Sequence, residues 1–219
     1  MPRKRLIRST QFPYHVTARA NNKELFSLPT YEVWKIMTSE LLLLSVLYEI
    51  RIHAFVLMPN HFHLLITTPK EDLGKIMNAF MSNVTKAINL HSNRSGHVFG
   101  GPYFWSIITS TRYYGHVLKY IYRNPVRGMI CDRVDEYEFS TITGISGKAH
   151  LPFPIYFTDA GLEINIPDPH FFSPWLEWLN QPFPSEAEKL IKKCLRMKEI
   201  NVLLDRSSRT KNELLEQLM

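Results

Sequence analysis

The sequence predicts an α+β fold in which one antiparallel sheet is covered by helices. In the first 130 residues, short segments that read as strands alternate with longer segments that read as helices. Two of the strand segments are joined by Pro59-Asn60, which favours a tight turn and therefore an antiparallel pair. The chain has 219 residues, of which 45% are hydrophobic, so it is long enough to bury a core.

The first elements are a strand, a helix and a hairpin. A strand is predicted over residues 14–20, and a helix over 31–48 that Thr30 can cap. Strands at 50–57 and 61–67 then form the hairpin around the turn.

The next elements repeat the alternation of helix and strand. A helix is predicted from about 72 to 90, a strand over 103–109, and a second helix from about 112 that must stop before Pro125. The order βαββαβ is that of ferredoxin-like folds, with helices on one face of the sheet. The last helix is additional to that arrangement.

A change in composition marks the C-terminal part of the chain. Seven prolines interrupt residues 152–184, and one further helix is predicted from 185 to about 204. We therefore divide the chain into a domain at 1–142 and a Pro-rich, partly helical extension at 143–219. We expect the extension to wrap the domain or to present an accessory surface, not to form a separate enzyme.

Positive charge is concentrated in the first part of the chain. Residues 1–131 carry 16 Lys and Arg against 6 Asp and Glu, whereas residues 132–219 carry 10 against 14. This imbalance predicts a polyanion partner, although a basic arm that merely aids solubility gives the same pattern. The candidate phosphate contacts near the N-terminus are Arg3, Lys4, Arg5, Arg8, Arg19 and Lys23.

Composition also excludes several classes of protein. No apolar run approaches the roughly 18 residues that cross a bilayer, and the basic N-terminus lacks the apolar segment of a signal peptide. We therefore expect a cytoplasmic protein without a membrane partner. Cys131 and Cys194 are far apart and outside any CxxC spacing, so neither a disulfide framework nor a cysteine zinc site is indicated.

His61 and His63 form the first candidate site. They are separated by one residue on a predicted strand, so both side chains project from one face while Phe62 turns into the core. This geometry is able to hold a metal ion. Taken alone, the pair is weak evidence for a metal site, because two histidines on a sheet surface are often only solvated side chains.

The helix before Pro125 carries the second candidate site. His116, Tyr120 and Asn124 are spaced four residues apart and share a helical face, whereas Tyr122 points elsewhere. A tyrosine and an amide beside a histidine pair suggest a nucleophile and a third metal ligand. The alternative is that Tyr113, Tyr120 and Tyr122 only pack the helix on the sheet.

Taken together, three segments resemble those of the HUH single-tyrosine transposases, and most of all the REP-associated tyrosine transposases. The resemblance covers roughly residues 1–142 and not the extension. The three segments are Tyr14-His15-Val16-Thr17-Ala18-Arg19, Met58-Pro59-Asn60-His61-Phe62-His63-Leu64-Leu65 and Tyr120-Ile121-Tyr122-Arg123-Asn124-Pro125-Val126-Arg127-Gly128.

The resemblance implies a metal-dependent activity on single-stranded DNA. His61, His63 and Asn124 would bind one divalent cation, Mg²⁺ or Mn²⁺, and Tyr120 would be the catalytic nucleophile. Cleavage at or near palindromic repeat hairpins would leave a 5′-phosphotyrosine and a free 3′-hydroxyl, and strands would be rejoined by the reverse attack. The implied partner is single-stranded or hairpin DNA, with the protein a monomer or a homodimer.

Further DNA contacts are predicted near the catalytic helix. Arg123 and Arg127 are candidate phosphate ligands, and the aromatic segment that includes Tyr103 is a candidate for stacking on unpaired bases. Phe104 or Trp105 in that segment must face the core. One departure from the family is Gly128-Met129, where members often have Ala-Gly; we expect it to alter only the end of the helix.

Two other functions remain open at this point. A domesticated DNA-binding protein would keep the basic surface without needing catalysis. A replication initiator or relaxase shares the HUH metal site, but it commonly has lysine three residues after the tyrosine, where this chain has Arg123. A nucleotide hydrolase of the HxHxH type is excluded, because Leu65 stands at the third histidine position.

Overall fold

The predicted sheet is present in the computed structural model, which describes residues 8–109, 111–157 and 171–196, apart from the side chains of residues 111, 112 and 185. Within these ranges the strands are β1 (Tyr14–Arg19), β2 (Arg51–Met58), β3 (His61–Thr67) and β4 (Phe104–Ile107). Their order is β2-β3-β1-β4, and every neighbouring pair is antiparallel. The predicted α+β, ferredoxin-like fold is confirmed.

Helices α1 (Thr30–Tyr48) and α2 (Leu73–Ser92) follow the prediction closely, with one correction at a cap. Thr30 does not cap α1, because the carbonyl of Pro29 already accepts from the backbone N–H groups of Glu32 and Val33. Asp72 does cap α2, since its side chain accepts from the backbone N–H of Gly74 at 2.5 Å. Such a cap stabilises a helix by about 1 kcal/mol.

The helix that carries the candidate site ends where proline predicts. Helix α3 (Thr111–Tyr122) stops before Pro125, and the single turn α4 (Asn124–Arg127) follows at once. Pro125 lies in the first turn of α4, where its missing N–H leaves no hydrogen bond unmade. The chain therefore continues past Tyr120 in nearly the same direction, which keeps Asn124 and Arg127 near that tyrosine.

Different helices pack against the two faces of the sheet. Alternation along β3 sends Phe62, Leu64 and Ile66 into a core formed with α1 and α2. Leu65 faces the other way, into a second core formed with α3. His61 and His63 share this second face, so the candidate metal ligands lie under the helix that carries Tyr120.

The C-terminal extension contributes to the second core. Helices α6 (Phe172–Asn180) and α7 (Ser185–Arg196) follow the one-turn helix α5 (Ile142–Ile145) and the undescribed residues 158–170. Trp175 and Ile191 are fully buried in the core that also holds α3. Helix α7 begins as predicted, and the predicted part beyond Arg196 lies outside the described residues.

No helix in the described part of the chain is long and apolar enough to span a bilayer.

Candidate active site

His61 and His63 lie side by side on β3, as the alternation of a strand requires. Their ring centroids are 5.1 Å apart and the rings are nearly perpendicular. His63 is buried and His61 half-buried. Phe62, between them, is fully buried on the opposite face.

Both imidazoles are contacted at Nδ1, and their surroundings favour the neutral form. Nδ1 of His61 lies 2.7 Å from the side-chain oxygen of Asn60, which accepts only, so Nδ1 carries the proton and Nε2 keeps its lone pair. Burial, aided by the charges of Arg19 and Arg127, lowers the pKa of His61 to about 4. Burial also lowers the pKa of His63 well below its usual value. Neutral imidazole is the form that binds metal ions.

A third histidine, to which the sequence analysis gave no role, supports His63. Nε2 of His15 lies 3.0 Å from Nδ1 of His63, and the two rings stack with centroids 5.2 Å apart. His15 is buried, and burial lowers its pKa to about 3. In the β1–β3 register Thr17 faces His63, so His15 is a diagonal neighbour on the same face. The strand pairing is the signal that would have identified it.

Tyr120 of α3 packs directly over these histidines. Its ring centroid is 5.9 Å from that of His63 and 6.4 Å from that of His15, both with edge-to-face geometry. Tyr122 is fully buried elsewhere, with its hydroxyl 3.0 Å from that of Thr141, and burial raises its pKa. Of these two tyrosines, it is Tyr120 that lines the open cavity beside the histidines.

Asn124 turns its oxygen away from the helix. Its amide nitrogen donates to the backbone carbonyls of Tyr120 at 2.8 Å and Ile121 at 3.3 Å. The oxygen accepts from the guanidinium of Arg127 at 3.3 Å. Arg127 also lies 5.2 Å from the centre of the Tyr120 ring, and its Nε forms an ion pair with Glu188 at 2.6 Å. The amide oxygen is therefore oriented as a possible ligand.

The donor set fits a hard divalent cation. Among the described residues, no three His, Cys, Asp or Glu side chains are arranged to hold a metal ion, so a metal site here would need a third protein ligand of another type. Two imidazoles and the amide oxygen of Asn124 would supply such a set. This set suits Mg²⁺ or Mn²⁺, whereas zinc sites more often include a thiolate.

These residues line one cavity of about 840 Å³. Phe104 stands in it with 73% of its surface exposed, while Trp105 is buried at its edge. No carboxylate is among the lining residues that the structure describes. Its positive side chains are Arg19, Lys23, Arg127, Lys192 and Arg196.

The other predicted contacts lie elsewhere. Arg8 pairs with Asp72 at 2.5 Å, and Tyr103 is half-buried against the first core. Arg123 is buried and donates to the carbonyls of Leu179 and Asn180, so the structure does not bring it to the cavity. Arg3, Lys4 and Arg5 lie outside the described residues.

His116, predicted to share a helical face with Tyr120 and Asn124, does not reach the cavity. Its ring lies 6.1 Å from that of Phe183 in the extension, and it is not among the residues that line the cavity.

The chain is similar in sequence to known transposases. The family model described as "Transposase IS200 like" matches residues 9–124, more than half of the chain. The REP-associated tyrosine transposase of Escherichia coli (strain K12) is 31% identical over 93 residues, which are 41% of this chain and 53% of that protein. The match thus spans about half the length of this curated relative.

The chain is also similar in fold to a solved transposase. The structure of a REP-associated tyrosine transposase bound to a REP hairpin aligns with a TM-score of 0.58 and 21% identity. The alignment covers 75% of this chain and 99% of the other. At this identity the likeness establishes the fold.

Proposed function

Because this chain belongs to the family of IS200-like transposases, we propose that it is a metal-dependent endonuclease and strand transferase for single-stranded DNA. The observation that carries the proposal is the position of Tyr120, whose ring centroid is 5.9 Å from that of His63 in a cavity also lined by His61 and Asn124. This juxtaposition supports a nucleophile beside a metal site.

His61, His63 and Asn124 would hold one Mg²⁺ or Mn²⁺. When bound, the cation supplies Lewis-acid polarisation of the scissile phosphate and offsets the charge that develops on it. Asn60 contacts Nδ1 of His61 and His15 contacts Nδ1 of His63, so each ring would offer Nε2 when its Nδ1 is the donor. The amide of Asn124 is held by its own helix.

Tyr120 performs the covalent step. Its hydroxyl oxygen attacks phosphorus, the phosphorus–O3′ bond breaks, and a 5′-phosphotyrosine and a 3′-hydroxyl result. The proton leaves Tyr120 to water, and the departing 3′ oxygen takes a proton from water, so the step is balanced. The cation–π contact of Arg127 restrains the Tyr120 ring for this attack.

Rejoining is the same reaction in reverse. A 3′-hydroxyl attacks the phosphotyrosine, the bond between phosphorus and Tyr120 breaks, and a phosphodiester forms. One ester bond replaces another in each direction, so no nucleotide cofactor is needed.

We also propose that Tyr120 acts within its own chain. Tyr120, His61 and His63 of one polypeptide already share a cavity, and Asn124 follows on the same helical path. A subunit therefore contains the whole proposed site, whether the protein is a monomer or a homodimer.

The positive cavity supports a nucleic-acid substrate. Five cationic side chains and the exposed ring of Phe104 line it, a combination that suits a single strand with unpaired bases. The curated relative is named for its association with REP sequences, and a protein of the same fold was solved with a REP hairpin. We therefore propose a palindromic hairpin with a single-stranded flank as the substrate.

The proposal is tested by incubating the full chain with such oligonucleotides. We expect a protein–DNA adduct that resists denaturation in the presence of Mg²⁺ or Mn²⁺ and is absent with EDTA. An oligonucleotide of equal length without a palindrome is the matched control. Hairpin binding without any adduct in either metal would contradict the proposal and support a DNA-binding protein without catalysis.

A further inference from the structure

Helix α7 forms part of the wall of the candidate active site, although it lies outside the region that matches the transposase family. The family match ends at residue 124, and α7 spans Ser185–Arg196. Ile191 and Cys194 are fully buried in the core that also contains α3. Lys192, Leu195 and Arg196 of the same helix line the cavity.

A shared carboxylate fixes the position of α7 along the cavity. Oε1 of Glu188 lies 2.6 Å from Nε of Arg127 and 2.8 Å from Nζ of Lys192. Arg127 in turn donates to the oxygen of Asn124 and lies over the ring of Tyr120. One turn of α7 is therefore tied, through a single arginine, to two residues of the proposed catalytic site.

The exposed face of α7 has the charge that a nucleic-acid strand requires. Lys192 and Arg196 are four residues apart, one turn of helix, so both point into the cavity. Arg19 and Lys23 add positive charge from the end of β1 and the turn that follows it. With Arg127 of α4, the cavity thus has cations on several separate elements.

An aromatic side chain completes this surface. Phe104 belongs to β4, the edge strand that α7 contacts, and it is 73% exposed in the same cavity. An exposed aromatic ring costs free energy in water unless something covers it. Aromatic rings beside a basic track are the arrangement by which proteins bind single strands without reading sequence.

We propose that Lys192 and Arg196 of α7 bind backbone phosphates of the single DNA strand that enters the active site, with Phe104 stacking on one of its bases. This inference rests on the proposed function, because it assigns a contact surface to the same substrate. It gives the C-terminal extension a direct part in substrate binding.

The test measures binding without chemistry. The parent protein carries Tyr120→Phe and is kept in EDTA, and its affinity for a fluorescent single-stranded oligonucleotide is measured by anisotropy over a range of salt concentrations. The test variant adds Lys192→Gln and Arg196→Gln. The matched control adds Lys189→Gln and Lys193→Gln, which remove the same charge from the same helix but from side chains that do not line the cavity.

We expect the test variant to bind about ten-fold more weakly than the parent, with a salt slope smaller by about 1.4, because single strands lose roughly 0.7 for each phosphate contact. The control should stay within about two-fold of the parent. Equal unfolding midpoints for both variants would establish that the fold is intact. An equal loss of affinity in the test and control variants, or no loss of affinity in either, would overturn the inference.

A second variant tests the stacking contact. Phe104→Leu keeps an apolar side chain on β4 but removes the ring, and we expect about five-fold weaker binding with an unchanged salt slope. If the parent binds the single strand but the wild-type chain forms no adduct, the proposed function is wrong and this inference still holds. A parent that binds no single strand would overturn both.

Discussion

The Nε2 atom of His15 lies 3.0 Å from the Nδ1 atom of His63, and both side chains are buried. With both rings neutral, one of the two nitrogens carries the proton between them. If His63 donates, its Nε2 lone pair is left for a metal ion beside that of His61. Metal-binding histidines are commonly held in this way by a second side chain.

Replacing His15 should therefore weaken metal binding. We expect His15→Ala to reduce Mn²⁺ affinity about ten-fold, measured by calorimetry or by the electron paramagnetic resonance of free Mn²⁺. His15→Gln offers an amide oxygen to the same proton and should recover part of the affinity. His91→Ala, an exposed histidine on α2, is the control. Unchanged Mn²⁺ affinity in His15→Ala would remove His15 from the site.

The buried histidines should make the fold sensitive to acid. Burial lowers the pKa of His15 to about 3 and those of His53 and His61 to about 4. Below about pH 6.5 these histidines bind protons in the unfolded chain, whereas in the folded state they stay neutral until the pH is much lower. The stabilisation is complete above pH 6.5 and is lost as the pH falls towards 4. Each such histidine lowers the free energy of unfolding by about 1 kcal/mol when the pH falls from 7.0 to 5.5.

Urea unfolding at pH 7.0 and 5.5 measures this loss. We expect a decrease of several kcal/mol in the free energy of unfolding, and a smaller decrease in His53→Gln, which removes one of these groups. His53 is suited to this comparison, because it bonds to Thr67, Tyr114 and the carbonyl of Tyr156 away from the candidate site. Equal stability at the two pH values would contradict the prediction.

Arg123 should fasten the extension to the catalytic helix. Its guanidinium donates to the last carbonyls of α6, those of Leu179 and Asn180. Lys119, one turn earlier, lies 4.6 Å from the ring centre of Trp178 and 5.1 Å from that of Phe183. These contacts hold α6 and the following segment against α3.

We expect Arg123→Ala to destabilise this docking by about 2 kcal/mol, the usual range for charged hydrogen bonds. Hydrogen exchange of peptides from residues 171–196 should accelerate, while exchange in β1–β3 stays slow. Arg94→Ala, which alters an exposed arginine after α2, is the control. Exchange of 171–196 that is the same in both variants would contradict this role.

Most of the fold could be predicted because its signals are local. Short, mostly apolar runs on either side of a turn mark β2 and β3, and Pro125 marks the end of α3. Thr30 was misassigned because threonine is a favoured N-cap residue and proline is not, yet the backbone hydrogen bonds place the cap at Pro29. Strand β4 is shorter than predicted, since its pairing with β1 stops at Ile107.

The candidate site was harder to predict because it depends on pairing and packing. His61 and His63 are adjacent on one strand, so the sequence alone brings them together. Identifying His15 as part of the site requires the β1–β3 register, and identifying Lys192 requires the docked position of α7. The proline-rich sequence before α7 does not reveal that position. Arg123 was expected to contact the DNA. On a short helix, however, the sequence does not show which arginine points inward, as Arg123 does, and which points outward, as Arg127 does.

Mixing two inactive variants tests whether Tyr120 acts in its own chain. Tyr120→Phe lacks the proposed nucleophile and His61→Ala lacks a proposed metal ligand, so each alone should give no adduct. We expect their mixture to remain inactive as well. Adduct formation in the mixture, at a level a few-fold below that of the wild type, would mean that Tyr120 of one subunit acts with the histidines of another.

The most direct test of the account is the identity of the tyrosine that bonds to DNA. Tyr120→Phe and Tyr122→Phe each remove one hydroxyl from α3, and Tyr122→Phe loses only a buried hydrogen bond to Thr141, about 1 kcal/mol of stability. With a hairpin oligonucleotide and Mn²⁺, we predict that Tyr122→Phe forms the covalent adduct and that Tyr120→Phe forms none. Undiminished adduct in Tyr120→Phe would contradict the central claim.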